Sequence, residues 1–146
     1  MAGQLRAVRI YIDGGARGNP GPAGAGIVIQ SADDGTELFA GGLYLGEATN
    51  NVAEYHALLE GLSRAAELGA RQAEVLSDSE LLIRQMTGVY RVRNARLREL
   101  FERAQTLCER FDRVDFRHIP REQNAQADRL ANQAMNLARH VEDAAD

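Results

Sequence analysis

The stretch RAVRIYIDGGARGNPGPAGAG, residues 6–26, decides the fold. Its first part alternates, with Val8, Ile10 and Ile12 on one face, and reads as a strand over residues 6–12 that ends at Asp13. The glycine- and proline-rich remainder reads as a turn. A second strand is expected over residues 25–30. Asp33-Asp34-Gly35 is a hairpin signal, and residues 37–45 read as a third strand pairing back. Three strands joined by short turns make an antiparallel meander.

Downstream the apolar period lengthens. Between residues 51 and 68, Val52, Tyr55, Leu58, Leu59, Leu62, Ala65 and Ala66 form a helical stripe, with Thr49 or Asn50 able to cap its start and Gly69 to stop it. Residues 73–76 read as a short strand and 79–86 as a short helix. Asn94 can cap a longer helix striped by Leu97, Leu100, Phe101, Ala104, Leu107, Cys108 and Phe111. Residues 114–118 alternate as a strand before Pro120. A last helix is expected over residues 124–141, with Ala127, Leu130, Ala131, Ala134 and Ala138 inward. The order βββαβααβα predicts an α/β class protein: a five-stranded mixed sheet with helices packed on both faces. Neither repeat nor linker divides the 146 residues, so one domain over 1–146 is expected, with a core at about 6–140 and a frayed acidic tail at 141–146.

The formal net charge is −4, and all 17 basic residues are arginine. Without lysine there is no P-loop lysine and no Schiff-base lysine, and no organic cofactor is expected. A single cysteine, Cys108, lies on a predicted apolar stripe and suits a reducing compartment. No apolar run approaches the roughly 20 residues that span a bilayer. The opening MAGQLRAVRI lacks the apolar stretch of a secretory signal. The expectation is a cytoplasmic monomer without a membrane partner.

Four acids stand apart from the solvated rest. Asp13 follows Ile10-Tyr11-Ile12 at a strand end, and Asp78 follows Val75-Leu76 at another. Glu54 and Asp128 sit among apolar residues in what read as the first turns of two helices. Element ends on one rim of a sheet are where α/β sites collect. Glu54 or Asp128 taken alone also reads as a helix N-terminal charge that favours the dipole. Gathered together, all four would repel unless a hard cation neutralised them. Two such ions about 3.5–4 Å apart can activate a water and stabilise a leaving oxygen.

At these residues the sequence resembles the type 1 ribonuclease H family. Four blocks carry the likeness in order: YIDGGARGNPGPAGAG (11–26), TNNVAEY (49–55), LSDSELLIRQM (76–86) and HIPREQNAQADRLAN (118–132). The resemblance implies a ribonuclease H-like fold and Mg²⁺-dependent endonucleolytic hydrolysis of the RNA strand of RNA/DNA hybrids, with Mn²⁺ as substitute, leaving 5′-phosphate and 3′-hydroxyl ends. It implies that Asp13, Glu54, Asp78 and Asp128 hold two metal ions. It also implies that His118 assists proton transfer and product release, although a histidine at a strand end is often only a satisfied polar group and Arg121 could serve the same phosphate. Asn19, Asn50 and Asn51 match polar positions that contact the hybrid, beside Thr49, although Asn50 and Asn51 also read as a helix cap and its neighbour. Gly14 and Gly15 would let a nucleic-acid backbone approach closely. The basic protrusion of many members is absent, and GVYRVRN (88–94) links two helices instead.

Charge distribution fits a polyanionic partner better than the total does. Residues 84–121 hold 10 arginines against 5 acids. Arg84, Arg91, Arg93, Arg96 and Arg98 surround the linker and are expected to supply phosphate contacts, with Arg91 and Arg93 foremost. Arg103 and Arg110 read as ion-pair partners of Glu99 and Glu102. Two other readings compete: a non-catalytic hybrid-binding module of the same fold, and a 3′–5′ exonuclease. Repelling carboxylates serve no purpose in the first. The second usually carries another acid two residues after the first, where this chain has Gly15.

Overall fold

A computed structural model describes residues 7–143. At its centre is β1 (Ala7–Ala16), whose Val8, Ile10 and Ile12 are almost wholly buried. It pairs antiparallel with β2 (Gly21–Ser31), which pairs antiparallel with β3 (Glu37–Ala48). On its other side β1 pairs parallel with β4 (Gln72–Ser77), and β4 pairs parallel with β5 (Arg113–His118). The sheet order is β5-β4-β1-β2-β3-β6.

The sixth strand corrects the expected five. β6 (Val141–Glu142) pairs with Gly41 and Gly42 on the outer edge of β3. The start of the acidic tail is therefore tied down rather than frayed, and residues 144–146 lie outside the described residues. The glycine–proline stretch is mostly strand as well. Gly14 and Gly15 pair with Ala25 and Gly24, which leaves only residues 17–20 as the turn and places Asp13 inside β1.

Helices cover both faces. On one, α1 (Asn50–Glu67) lays Tyr55, Leu58 and Leu62 over Ile10, Ile12, Ile27 and Ile29. Each such fully buried side chain contributes about 1.5–3 kcal/mol. Thr49 is the cap of α1, its hydroxyl accepting from the Val52 amide. The short α2 (Glu80–Met86) and then α3 (Ala95–Cys108) follow on the same side, capped by Ser79 and Asn94. Tyr55 donates to Gln85 Oε1 at 2.7 Å, a buried bond that locks α1 to α2. Burial also pushes the Cys108 thiol up to about 11, which suits core filling rather than nucleophilic chemistry.

On the opposite face α4 (Ala125–Leu137) packs on β2 and β3 through Ala127 and Leu130. The approach is backbone to backbone: a Cβ at Gly26 would overlap the Ala127 carbonyl, and one at Gly24 would lie 2.6 Å from the Ala131 oxygen. A 3₁₀ turn (Arg121–Asn124) leads into α4, so the last helix is shorter than the expected 124–141. It stops at Ala138, which adopts a left-handed conformation and is exposed rather than inward.

Candidate active site

The carboxyl ends of the three parallel strands meet at one rim. Ile12 is level with Ser77, and Ser77 with His118, so Asp13, Asp78 and His118 emerge side by side. Side chains alternate along a strand, so Asp13 shares the face of Tyr11, the side covered by α4. There it meets Asp128 in the first turn of α4. Glu54 comes from α1, one residue beyond the first turn rather than within it. Gly14 permits this convergence, because a Cβ there would overlap the Ala53 carbonyl carbon of α1.

The four acids therefore line one cleft of about 590 Å³. Gly14, Gly15, Asn50, His118 and Arg121 share its wall. Burial, reinforced by the Asp78, Asp128 and Glu54 charges, pushes the Asp13 carboxyl up to about 8. Burial and Asp78 push Glu54 up to about 7, against a lowering hydrogen bond from Ser79. These acids have too little positive charge around them. Their donor set is all oxygen, which matches a hard divalent cation. Among the described residues no three acids or histidines already stand in metal-ligating geometry, so ligation would require the carboxylates to draw together around the ion.

Surrounding hydrogen bonds fix the frame. Ser79 Oγ donates to Glu54 Oε1 at 3.0 Å while capping α2. Asn132 Nδ2 donates to the Asp128 carbonyl at 2.9 Å and to its Oδ1 at 3.3 Å. Asn124, buried, donates to the Ile12 carbonyl at 2.8 Å and so ties the entry of α4 to the strand that carries Asp13. His118 is exposed, its Nε2 3.3 Å from the Asp78 carbonyl oxygen. Arg121 stands 3.9 Å from Asp128.

Several residues singled out from the sequence stay outside this wall. Asn19 touches it indirectly, its Oδ1 accepting from the Asn50 amide at 3.1 Å, while Asn50 Oδ1 accepts from Ala16 at 2.8 Å. Thr49 and Asn51 lie at the start of α1 beside Asn50. Arg91 and Arg93 are exposed on the linker before α3. Two arginines expected to contact phosphate are engaged within the chain: Arg84 pairs with Glu80 at 3.0 Å and Arg98 with Glu102 at 3.2 Å. Glu102 thus takes Arg98, one turn before it, and neither Arg103 nor Arg110 forms a salt bridge among the described residues. Sequence reading missed Arg17, Ser79, Asn124 and Asn132. Asn132 carried a signal, since it follows Asp128 by one helical turn.

Comparison with known proteins gives the family. A family model described as reverse transcriptase-like matches residues 11–134. The "Bifunctional protein Rv2228c" of Mycobacterium tuberculosis is 49% identical over 131 residues, covering 90% of this chain and 36% of its own length. The chain thus spans about a third of that relative. "Ribonuclease HI" of Halobacterium salinarum is 44% identical over 131 residues, covering 90% of this chain and 65% of its own. Among solved structures, RNase H1 of Halobacterium salinarum superposes with a TM-score of 0.86 at 43% identity, covering 89% of this chain and 98% of that one. LC11-RNase H1 in complex with RNA/DNA hybrid superposes with a TM-score of 0.85 at 46% identity, covering 90% and 98%. The chain belongs to the type 1 ribonuclease H family.

Proposed function

We propose that this chain is a divalent-metal-dependent endonuclease that hydrolyses the RNA strand of RNA/DNA hybrids and leaves 5′-phosphate and 3′-hydroxyl ends. The observation that carries this reading is the single cleft walled by Asp13, Glu54, Asp78 and Asp128, two of them held well above the usual carboxylate range. Likeness to a ribonuclease H1 solved with an RNA/DNA hybrid supports the substrate.

Asp13, Glu54, Asp78 and Asp128 would hold two Mg²⁺ ions, or Mn²⁺ in their place. When bound, such ions activate a water and stabilise the leaving oxygen of a phosphodiester. The chain's own groups bind and orient the strand. Asn50 lines the cleft and, held by Asn19 and Ala16, presents its amide from a fixed position. Amides of this kind can contact sugars and minor-groove edges, where the 2′-hydroxyl distinguishes RNA from DNA. Gly14 and Gly15 leave the floor open to a phosphate backbone. His118 stands at the exposed mouth, placed to take part in proton transfer and product release, with Arg121 beside the phosphate. Arg91 and Arg93 reach a more distant phosphate from the linker. We assign the cytoplasm from the lone cysteine, and a single copy suffices because one chain supplies all four acids.

The test is cleavage of labelled RNA/DNA, RNA/RNA and DNA/DNA duplexes with Mg²⁺ or Mn²⁺. Wild type is expected to cut only the RNA of the hybrid, and Asp13→Asn to lose activity. Equal products from wild type and Asp13→Asn would refute the assignment.

A further inference from the structure

We propose that Arg17 is a second phosphate-binding cation of the cleft, gripping a phosphate of the cleaved strand next to the one hydrolysed, and that Asn132 links this grip to Asp128. The proposal rests on the nuclease reading above.

Arg17 lines the same cleft as the four acids, yet among the described residues it forms no salt bridge. Its Nη2 donates instead to a neutral group, Asn132 Oδ1, at 3.4 Å. A guanidinium carries five donors in a planar fork that matches phosphate, and one long bond to an amide leaves most of them available. The backbone that presents it is held on both sides. The Arg17 amide donates to the Pro22 carbonyl at 2.8 Å, and the Ala16 amide donates to Asn50 Oδ1 at 2.8 Å. The side chain therefore projects from a braced turn, which limits the ordering cost on binding.

Position supplies the rest. Arg121 borders Asp128 from the 3₁₀ turn, whereas Arg17 reaches α4 one turn further on, at Asn132. Two cations flanking four acids suit a chain of phosphates: one lies over the acids and its neighbours face the arginines. Asn132 divides its amide between the two sides, its oxygen accepting from Arg17 and its nitrogen donating to Asp128. Asn132 is thus a positioning residue, holding Asp128 whether or not Arg17 has turned to a phosphate.

Steady-state cleavage of a labelled RNA/DNA hybrid, measured over a range of KCl, tests this. Arg17→Ala is expected to raise KM about tenfold with kcat within about twofold of wild type, as loss of one charge-assisted contact implies. It should also flatten the log–log salt dependence of kcat/KM by about one phosphate's worth, roughly 0.9. Arg17→Lys should restore the slope but only part of KM, because the charge returns without the fork. Asn132→Ala should instead lower kcat and leave the slope unchanged. Hybrids carrying a single neutral methylphosphonate locate the contact: one position should cost wild type about tenfold and cost Arg17→Ala nothing. Arg17→Ala with wild-type KM and slope, or with the same penalty as wild type at every methylphosphonate, overturns the proposal while leaving the nuclease reading intact. Failure of wild type to cleave the hybrid overturns both.

Discussion

Replacing Asp13 by asparagine should stabilise the metal-free fold at alkaline pH, although it removes a carboxylate from the site. The Asp13 carboxyl is pushed from its ordinary 3.8 to about 8, first by burial and then by Asp78, Asp128 and Glu54. Between those values the folded state keeps a proton that the unfolded state has lost. Stability therefore falls as pH rises through this window, and the penalty is complete above about pH 8. From about pH 5.5 to 8 the slope of about 1.4 kcal/mol per pH unit amounts to about 3.4 kcal/mol for one group. Neighbouring carboxylates relax and water enters the open cleft as Asp13 ionises, so about 2 kcal/mol should survive. Asparagine does not titrate, and Glu54 contributes to both proteins and cancels to first order. Thermal unfolding in EDTA, followed by circular dichroism at about pH 5.5 and about pH 8.5, reads the difference. At about 3 °C per kcal/mol for a chain of this size, the advantage of Asp13→Asn should grow by about 6 °C between the two conditions. Mg²⁺ added at the higher pH should raise the wild-type Tm and leave the variant nearly unmoved. A wild-type-to-variant difference that stays constant with pH would refute the burial and repulsion argument.

Gly26→Ala should cost about 3 kcal/mol or more in urea unfolding, because its Cβ would overlap the Ala127 carbonyl and α4 would have to lift away with Asp128. Tyr55→Phe should cost about 1–2 kcal/mol in the same assay by leaving buried Gln85 Oε1 without its donor. Ser79→Ala removes both the cap of α2 and the bond that lowers Glu54. It should cost about 1 kcal/mol and move the acid limb of the pH–rate profile upward. Neutralising Arg91 and Arg93 together should weaken hybrid binding and flatten its salt dependence, and an unchanged salt slope would remove the linker from the substrate path.

The carboxylates were legible because each broke a local pattern: an acid directly after an apolar strand, or an acid on the apolar side of a helix start. The mixed character of the sheet followed from the helices between the later strands, whereas the pairing of β4 with β1 is seen only in the fold. Glycine misled the reading of residues 14–26. In isolation Gly-rich sequence favours a turn, but here Gly24 sits in β2, extending it ahead of the expected 25–30, with the α4 backbone pressed against it, a demand only tertiary structure imposes. β6 is two residues long, and what holds it is the edge of β3, nearly a hundred residues away. Arg17 was hidden for a similar reason, since its partner Asn132 is 115 positions distant. Ser79 opens the short helix expected over 79–86, but its bond to Glu54 exists only because α1 and α2 meet.

The net charge of −4 now has a physical meaning. Burial and neighbouring acids push Asp13 and Glu54 up, and no arginine charge offsets either shift. Arg17 faces an amide, and Arg121 keeps 3.9 Å from Asp128. A tight internal ion pair at either place would relieve the acids and occupy the arginine. Such pairs do occur elsewhere, at Arg84–Glu80 and Arg98–Glu102, outside the cleft. The cleft therefore leaves negative charge that the proposed metal ions would answer and positive charge that the proposed phosphates would answer. On the proposed nuclease reading an acidic chain can bind a polyanion, because the four cleft acids would be matched to metal rather than aimed at the strand.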